Sequence, residues 1–413
     1  MTPTTGSSPL LAQRHVARLL IGTLVGRLPG GMAPVAILLL VADQGGSLKS
    51  AGLLCALYGL ASAVGQPVLG RVVDRRGQSL ITATAVLLTT VCLLALAVVE
   101  VAARPGPAVA LVALAGLSTP PLEAGLRALW PAVLPDQAQR RAALALDTGA
   151  QGLIYVTGPP LVAVLSTTTG PRTAMVVSAV LGLLGAAVVL SAAPSRHWRP
   201  DPEGQRAGAL GPLAHAGLRW LFVAVSGVGF ALGAMNVWAV ALADDLGIGL
   251  LSGLIPAALS TGSLAGGFLY GRRAWPGTLT AQLHSAALLF AAGWLPLMAV
   301  TGPASAVMLT AVPGLLLTAV ITSAFLTVDA LAPTGTTTEA YAWLIAAVGT
   351  GQAAGTALAG ALAEHPPIGA ALPTAGAALT LTILLAARRR LAVPGATARH
   401  QGRHRRTPAH AAR

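Results

Sequence analysis

Residues 274–328 read AWPGTLTAQLHSAALLFAAGWLPLMAVTGPASAVMLTAVPGLLLTAVITSAFLTV, a run without Asp, Glu, Lys or Arg. As a single helix, this run would extend about 80 Å at ~1.5 Å per residue, whereas the hydrocarbon layer of a bilayer is roughly 30 Å thick. Thr301, Gly302 and Pro303 interrupt it with turn-forming residues. The stretch therefore predicts two transmembrane helices joined by a tight turn.

The rest of the chain has the same character. Of 413 residues, 54% are hydrophobic and 9% are charged, compared with roughly 25% charged residues in soluble proteins. The net charge of +13 could suit a nucleic-acid binder, but the basic residues lie in short loops and a tail, which fits anionic lipid headgroups better. We therefore expect membrane lipids, and no nucleic acid, as partners.

Apolar runs of membrane-spanning length recur along the chain. They predict an all-α integral membrane protein with twelve transmembrane helices in two six-helix bundles. The predicted spans are 16–42, 48–70, 79–101, 107–134, 143–165, 173–193, 218–243, 247–271, 278–300, 304–328, 338–363 and 366–387. The corresponding regions are an N-terminal bundle over 1–193, a cytoplasmic central loop over 194–217, a C-terminal bundle over 218–387 and a basic cytoplasmic tail over 388–413.

The distribution of basic residues predicts the orientation, because Lys and Arg are retained on the cytoplasmic side. Loops on the side of the N-terminus carry nearly all of them, and the opposite loops hold only Lys49, Arg104 and Arg172. Both termini are thus expected in the cytoplasm, with the N-terminus retained. Lys49 is the only lysine among 26 basic residues, which suggests a GC-rich bacterial genome and an inner-membrane location.

The two halves contain similar segments at matching places. Residues 70–76 read GRVVDRR after the second predicted span, and residues 267–273 read GFLYGRR after the eighth. Internal duplication of this kind is typical of transporters. Two arginines after an apolar helix are also ordinary at a cytoplasmic membrane face.

The first of these segments resembles the signature loop of the major facilitator superfamily, roughly G-x-L-x-D-R-x-G-R-K. The match covers the two glycines, the acid and the base after it, and it departs from the pattern at Gln78 and Ser79, where the family usually has basic residues. The predicted switch-loop residues are Gly70, Arg71, Asp74, Arg75, Arg76 and Gly77. The resemblance implies two six-helix bundles that alternate access, with this loop as a conformational switch that latches the halves. The alternative is a generic basic turn.

A glycine-proline pattern in the fifth predicted span resembles a motif of exporter branches in the same family. It comprises Gly149, Gly152, Gly158 and Pro159, and Pro160 departs from it. Glycine lets helices approach closely and proline bends them, so the pattern fits a moving interface and ordinary packing equally well. Pro29 similarly predicts a bend in the first span.

Four charged residues lie inside predicted spans away from their ends, where each would cost at least about 2.5–3.5 kcal/mol without a partner or a role. Arg27 and Glu123 lie at similar predicted depths, and helices one and four line the central cavity in the family fold. We therefore predict an Arg27–Glu123 pair, with Glu123 as the proton-carrying acid. Glu123 could instead pair with Arg127 four residues on, and Arg127 with Asp147, in a purely structural cluster.

Further candidates are less specific. Asn236, Trp238 and Gln352 could contact a substrate, although packing or interfacial roles are more common for such residues. Near the eleventh span, Thr336, Thr337 or Thr338 could cap a helix whose first turn contains Glu339.

Signals of other functions are absent from the sequence. We find no nucleotide-binding P-loop, no spaced Cys or His metal set and no nucleophile–base arrangement. We predict a monomeric, non-enzymatic secondary transporter without cofactor or metal, which exports a small organic or amphipathic molecule in exchange for protons. The alternatives are a proton-coupled importer of a sugar or organic acid and a non-transporting membrane sensor or lipid-handling protein.

Overall fold

The computed structural model describes residues 10–101, 105–199, 208, 210–272, 275–362 and 370–392. Within these ranges the chain forms α-helices and short 3-10 segments and no strand, which confirms the predicted all-α class. The helices are α1 Val16–Asp43, α2 Leu48–Arg76, α3 Gln78–Val98, α4 Pro105–Leu117, α5 Leu122–Val133, α6 Gln137–Thr168, α7 Pro171–Leu190, α8 Ala193–His197, α9 Ala216–Asp245, α10 Leu251–Gly271, α11 Leu279–Trp294, α12 Pro303–Leu331, α13 Thr337–Ala361 and α14 Ala371–Ala386. Positions 200–207 and 209 of the predicted central loop, and the predicted tail beyond 392, lie outside the described residues.

Most of these helices suit a membrane environment. In the described ranges, 10 helical stretches are long and apolar enough to cross a bilayer, and one of them, Pro105–Val133, comprises both α4 and α5. Large apolar side chains such as Leu80, Val98 and Met308 are exposed on the outside, where lipid would cover them. The two remaining predicted spans coincide with α6, which includes charged residues, and with α14, which has 16 residues. The total of twelve crossings therefore stays a prediction.

The predicted span over 107–134 coincides with the candidate span Pro105–Val133, but it is not one continuous helix, because the chain breaks it into α4 and α5. Pro120 and Pro121 lie in the break. Proline has no backbone N–H, and its ring clashes with the carbonyl of the preceding turn. The two adjacent prolines thus end one helix and start the next, and both pieces are shorter than a bilayer is thick.

Each half is held together by close helix packing at small residues. In the first half, α1 packs against α7 where Gly26 meets Gly185; a Cβ on Gly185 would lie 2.0 Å from the Gly26 nitrogen. In the second half, α9 packs against α13 where Gly351 meets Ser226, and a Cβ on Gly351 would lie 1.8 Å from the Ser226 carbonyl oxygen. Membrane helices commonly associate in this way because small residues let the backbones touch.

The halves meet mainly through α2 with α13 and through α6 with α10. The end of the bundle where α2 passes into α3 is called the loop end below. Helices α10 and α12 also finish there, and α6 and α13 start there. This end positions the candidate functional residues.

Candidate functional site: a central cavity above a buried charge ring

A cavity of about 680 Å³ lies between the two halves. Its wall in the first half includes polar side chains: Gln66, Thr89, Thr90, Thr119, Thr148 and Gln151. Its wall in the second half is largely apolar: Leu232, Met235, Leu259, Leu317, Ile321 and Phe325. A molecule held there would meet hydrogen-bonding groups from both halves and an apolar surface mainly on the side of the second half.

Two of the three predicted substrate contacts line this cavity. Asn236 of α9 and Gln352 of α13 are part of its wall, on the side of the second half. Trp238 is buried in the apolar core of that half and is not among the cavity-lining residues. Residues two positions apart in a helix are separated by about 200° around its axis, so Asn236 and Trp238 occupy opposite faces of α9.

The four intramembrane charged residues form one closed ring at the cavity wall, the charge ring: Arg27, Glu123, Arg127 and Asp147. Each arginine contacts both acids. Arg27 pairs with Glu123 and, at 3.4 Å, with Asp147 Oδ1. Arg127 lies 2.5 Å from Glu123 Oε1 and 2.8 Å from Asp147 Oδ2. The two pairings that the sequence left as alternatives are thus present together.

Burial divides this charge ring into a cavity side and an inner side. The side chains of Arg27 and Glu123 are 12% and 6% exposed, and both line the cavity. The side chains of Arg127 and Asp147 are fully buried. Two positive and two negative groups balance, so the cluster can exist in a low-dielectric interior, whereas any single member would be an uncompensated charge.

Next to the charge ring, a side chain of the second half covers Arg127. The guanidinium carbon of Arg127 lies 3.5 Å from the ring centre of Phe325 on α12. Phe325 in turn meets Tyr341 of α13 in an edge-to-face contact, with ring centres 5.5 Å apart. Sequence reasoning missed both aromatic residues, because a Phe and a Tyr within apolar helices give no signal that distinguishes them from ordinary core residues.

At the loop end, Asp74 docks onto the start of α13. Its carboxylate accepts hydrogen bonds from the backbone N–H groups of Thr338, at 3.1 Å, and Glu339, at 2.8 Å. The first N–H groups of a helix have no partners within it, and they carry the positive end of the helix dipole. A threonine cap was predicted here, but Thr336 makes no side-chain cap bond; the cap comes from the other half of the molecule.

Arg71 reinforces this docking. Its guanidinium donates to both carboxylate oxygens of Glu339, at 2.9 and 2.7 Å. Gly70 lies against the backbone of the same helix turn, where a Cβ would be 3.1 Å from the Glu339 Cα. Gly77, at the end of α2, has φ +102°, and its N–H donates to the Val73 carbonyl at 2.8 Å. These contacts close the loop end of the cavity.

The other residues of the predicted switch loop lie at the end of α2, and the predicted bending sites lie on α1 and α6. Arg75 and Arg76 are exposed at the end of α2. Pro29 lines the cavity, while Gly158 packs against Gly31 of α1 and the neighbouring Pro159 is half-buried. Helix α6 continues through Pro159.

The described end of the predicted central loop touches the docked residues. A short 3-10 segment, Gly211–Ala214, lies beside α13. Gly211 has φ +47°, and a Cβ there would be 2.7 Å from Glu339 Oε2 and 2.9 Å from an Arg71 guanidinium nitrogen. Only a glycine fits this position without displacing the ion pair.

No group of three or more His, Cys, Asp or Glu side chains in the described part of the chain is arranged to hold a metal ion. The charged groups of the site described above belong to the charge ring and to the docked loop.

These features define the class of protein: a multi-pass helical membrane protein whose two halves enclose a central cavity. The sequence matches the family model of the Major Facilitator Superfamily over residues 19–356, so the chain belongs to that family. Its fold is similar to the crystal structure of a bacterial homologue of the iron transporter ferroportin in an outward-facing state. The two share 15% sequence identity at a TM-score of 0.67, over 90% of this chain and 99% of the other.

A second similar fold is the crystal structure of the human organic anion transporter MFSD10 (TETRAN). It is 17% identical at a TM-score of 0.62, over 94% of this chain and 100% of the other. Comparison with curated proteins found no match. The family assignment and the two structures confirm the predicted transporter fold.

Proposed function

We propose that this protein is a secondary active transporter that exports a small organic or amphipathic molecule in exchange for protons. Export would proceed by alternating access between the two halves. The observation that carries the proposal is the charge ring at the cavity wall, in which Glu123 is the acid that faces the cavity. Charged groups within membrane helices are costly, and they commonly mark ion or proton pathways.

Glu123 is suited to carry the proton because protonation unbalances the charge ring. With Glu123 ionised, the two arginines and two acids cancel. A proton on Glu123 removes one negative charge and leaves both guanidinium groups with a single carboxylate, Asp147. This excess positive charge favours a rearrangement of the site. A molecule that fills the cavity also covers Glu123, so substrate and proton would occupy the site alternately, as exchange requires.

The cavity wall supports the substrate class. Both halves offer amide and hydroxyl groups, the second half adds a largely apolar surface, and the charged groups at the wall are paired with each other. This suits a molecule with a polar and an apolar part better than a strongly charged one.

We place the loop end in the cytoplasm of a bacterial cell, with both termini on that side and the protein in the inner membrane. Exposed arginines at this end support the orientation by the positive-inside rule. They include Arg75, Arg76, Arg388, Arg389 and Arg390. The docked loop would then close the cytoplasmic side, so that the cavity serves the opposite side in the state described.

A second candidate is proton-coupled uptake of an organic acid. Arg27 is the most exposed member of the charge ring and lines the cavity. A proton on Glu123 would release it to bind a carboxylate, so that proton and anion would be carried together. The similar human protein is described as an organic anion transporter.

Comparison of metabolites inside and outside cells with and without the gene would identify the transported compound. Purified protein in vesicles with an imposed pH gradient would then give its direction of transport. We expect export driven by the gradient, and Glu123→Gln should lower it roughly tenfold or more, since a buried charge loses its partner.

The matched control is Glu100→Gln, which changes an exposed acid paired with Arg172 and should leave transport unchanged. Uptake along the proton gradient would favour the second candidate. Wild-type vesicles that move the compound in neither direction under any gradient would support a non-transporting protein. Glu123→Gln protein that elutes normally and still couples to the gradient would exclude Glu123 as the proton carrier.

A further inference from the structure

The aromatic pair Phe325 and Tyr341 lies between two separate cavities. Phe325 lines the central cavity. Tyr341 donates a hydrogen bond to Asp329 Oδ1 at 3.3 Å, and Asp329 lines a smaller cavity of about 200 Å³ at the loop end. Asp74 and Arg199 also line this smaller cavity. Phe325 and Tyr341 are 1% and 2% exposed, so the two residues that separate the cavities are buried.

The charge ring lies on one side of this partition and Asp329 on the other. We propose that Phe325 and Tyr341, the aromatic plug, keep protons held by the charge ring from reaching the loop end until the halves separate there. The inference rests on the proposed role of Glu123 as proton carrier. In this proposal Phe325 is a positioning residue, which determines when protons are released.

Charged and titratable groups of α1, α5, α6 and α12 lie around the aromatic plug. On the cavity side these are Arg27 of α1, Glu123 and Arg127 of α5, and Asp147 of α6, with Tyr155 of α6 in electrostatic range of Arg27 and Glu123. On the loop side these are Asp329 of α12 and Arg140 of α6. A proton leaving the charge ring towards the loop end would therefore find a carboxylate acceptor in Asp329.

The position of Phe325 ties the plug to the state of the transporter. Phe325 belongs to α12 of the second half, and it covers Arg127 on α5 of the first half. Movement of the halves apart at the loop end would lift the phenyl ring from the guanidinium. Water could then reach Arg127 and Asp147, which are fully buried in the state described. Access to the charge ring would pass from the central cavity to the loop end.

The test is a proton-leak measurement that needs no transported compound. Vesicles containing purified protein and a trapped pH-sensitive dye are given a pH gradient, and its decay is recorded. Phe325→Ala would leave a gap bounded by polar groups, which water can occupy. We expect the gradient to decay at least about tenfold faster than with wild-type protein. Phe325→Tyr, which keeps a ring, should restore the wild-type rate.

Phe290→Ala is the matched control. Phe290 is equally buried and makes a similar edge-to-face contact with Trp294, at 5.9 Å, but it lies within the second half. Its loss should weaken the fold without causing a leak. A leak with Phe290→Ala equal to that with Phe325→Ala would show general loosening and would overturn the proposal.

The route is tested by adding Glu123→Gln or Asp147→Asn to Phe325→Ala. Each double variant should leak at the wild-type rate if protons cross through the charge ring. The proposal would be wrong if correctly folded Phe325→Ala protein maintained the gradient as long as wild type does. It would also be wrong if the double variants leaked as fast as Phe325→Ala alone. Wild-type protein that fails to couple export to protons would instead remove the proposed function, whatever the leak measurements show.

Discussion

The two repeated segments make different contacts at equivalent places in the two halves. At the end of α2, Asp74 reaches across to cap α13. At the end of α10, Gly271 stands where Asp74 stands in the first repeat, and it packs on α6, where a Cβ would lie 3.0 Å from the Ala142 Cα. Helix α6 is instead capped by its own Asp136, which accepts from the Gln139 N–H at 3.0 Å.

The difference shows how one duplicated segment can supply both a releasable contact and a close-packed one. The α2 contact consists of charge-assisted hydrogen bonds, whose groups water can satisfy once the halves part. The α10 contact is steric, and it depends on the absence of a side chain. We therefore expect changes at the first contact to alter the balance between states and changes at the second to alter stability.

The largest expected effect on this balance is that of Asp74→Asn. Loss of the carboxylate charge weakens two hydrogen bonds that hold the loop end closed. Hydrogen bonds to a charged group contribute about 1.5–3 kcal/mol, so the equilibrium between the closed and open states should shift tenfold or more. The measurement is labelling of Ala128→Cys, at the small loop-end cavity, by a membrane-impermeant maleimide. Cys55 and Cys92 are first replaced. Labelling should accelerate.

Asp136→Asn is the matched control for that substitution. It removes the charge of the carboxylate that caps α6, at little cost to the helix because Asn is about as good an N-cap as Asp, and this cap lies within one half. Labelling at position 128 should stay at the wild-type rate. Equal acceleration by both substitutions would contradict the distinction between the two contacts.

An intermediate effect is expected for Gly271→Ala. The added methyl group would collide with the backbone at Ala142, and overpacking of this kind typically costs about 1–3 kcal/mol. The midpoint of thermal unfolding in detergent should fall. Gly253→Ala in the same helix is the control, since a Cβ there meets nothing within 4 Å. If Gly271→Ala protein unfolds at the wild-type temperature, the close contact at α6 is not present.

The smallest effect is expected for Arg71→Gln. The Arg71–Glu339 pair crosses between the halves, but the Arg71 side chain is 29% exposed. The Glu339 side chain is 4% exposed, but it keeps the hydrogen bond from Trp343 Nε1 at 3.3 Å when Arg71 is replaced, so the loss should cost about 1 kcal/mol and labelling at position 128 should rise no more than roughly fivefold. Arg172→Gln breaks a more exposed pair with Glu100 and should leave labelling unchanged. An effect of Arg71→Gln larger than that of Asp74→Asn would reverse the proposed order of the two contacts.

Local sequence patterns predicted the parts of this structure that depend on nearby residues. Charge-free runs located the membrane helices, and similar depth placed Arg27 near Glu123. The break between α4 and α5 was missed, although Pro120 and Pro121 give a local signal for it. Two adjacent prolines within an apolar run should have been read as a helix boundary.

The contacts between the halves could not be predicted in the same way. A cap is normally sought among residues adjacent in sequence, so a threonine at 336–338 was predicted instead of Asp74, which lies far away in the chain. Trp238 was placed at the cavity because hydropathy does not tell which face of α9 is turned inwards. Phe325 acquires its contact with Arg127 only when α12 meets α5.

The shortness of α5 has one mechanical consequence. Glu123 and Arg127 lie one turn apart on this twelve-residue piece, which the adjacent prolines uncouple from α4. A tilt of α5 would carry an acid and a base as one electrically neutral unit. The segment can thus shift relative to Arg27 and Asp147 without moving an unpaired charge through the apolar interior.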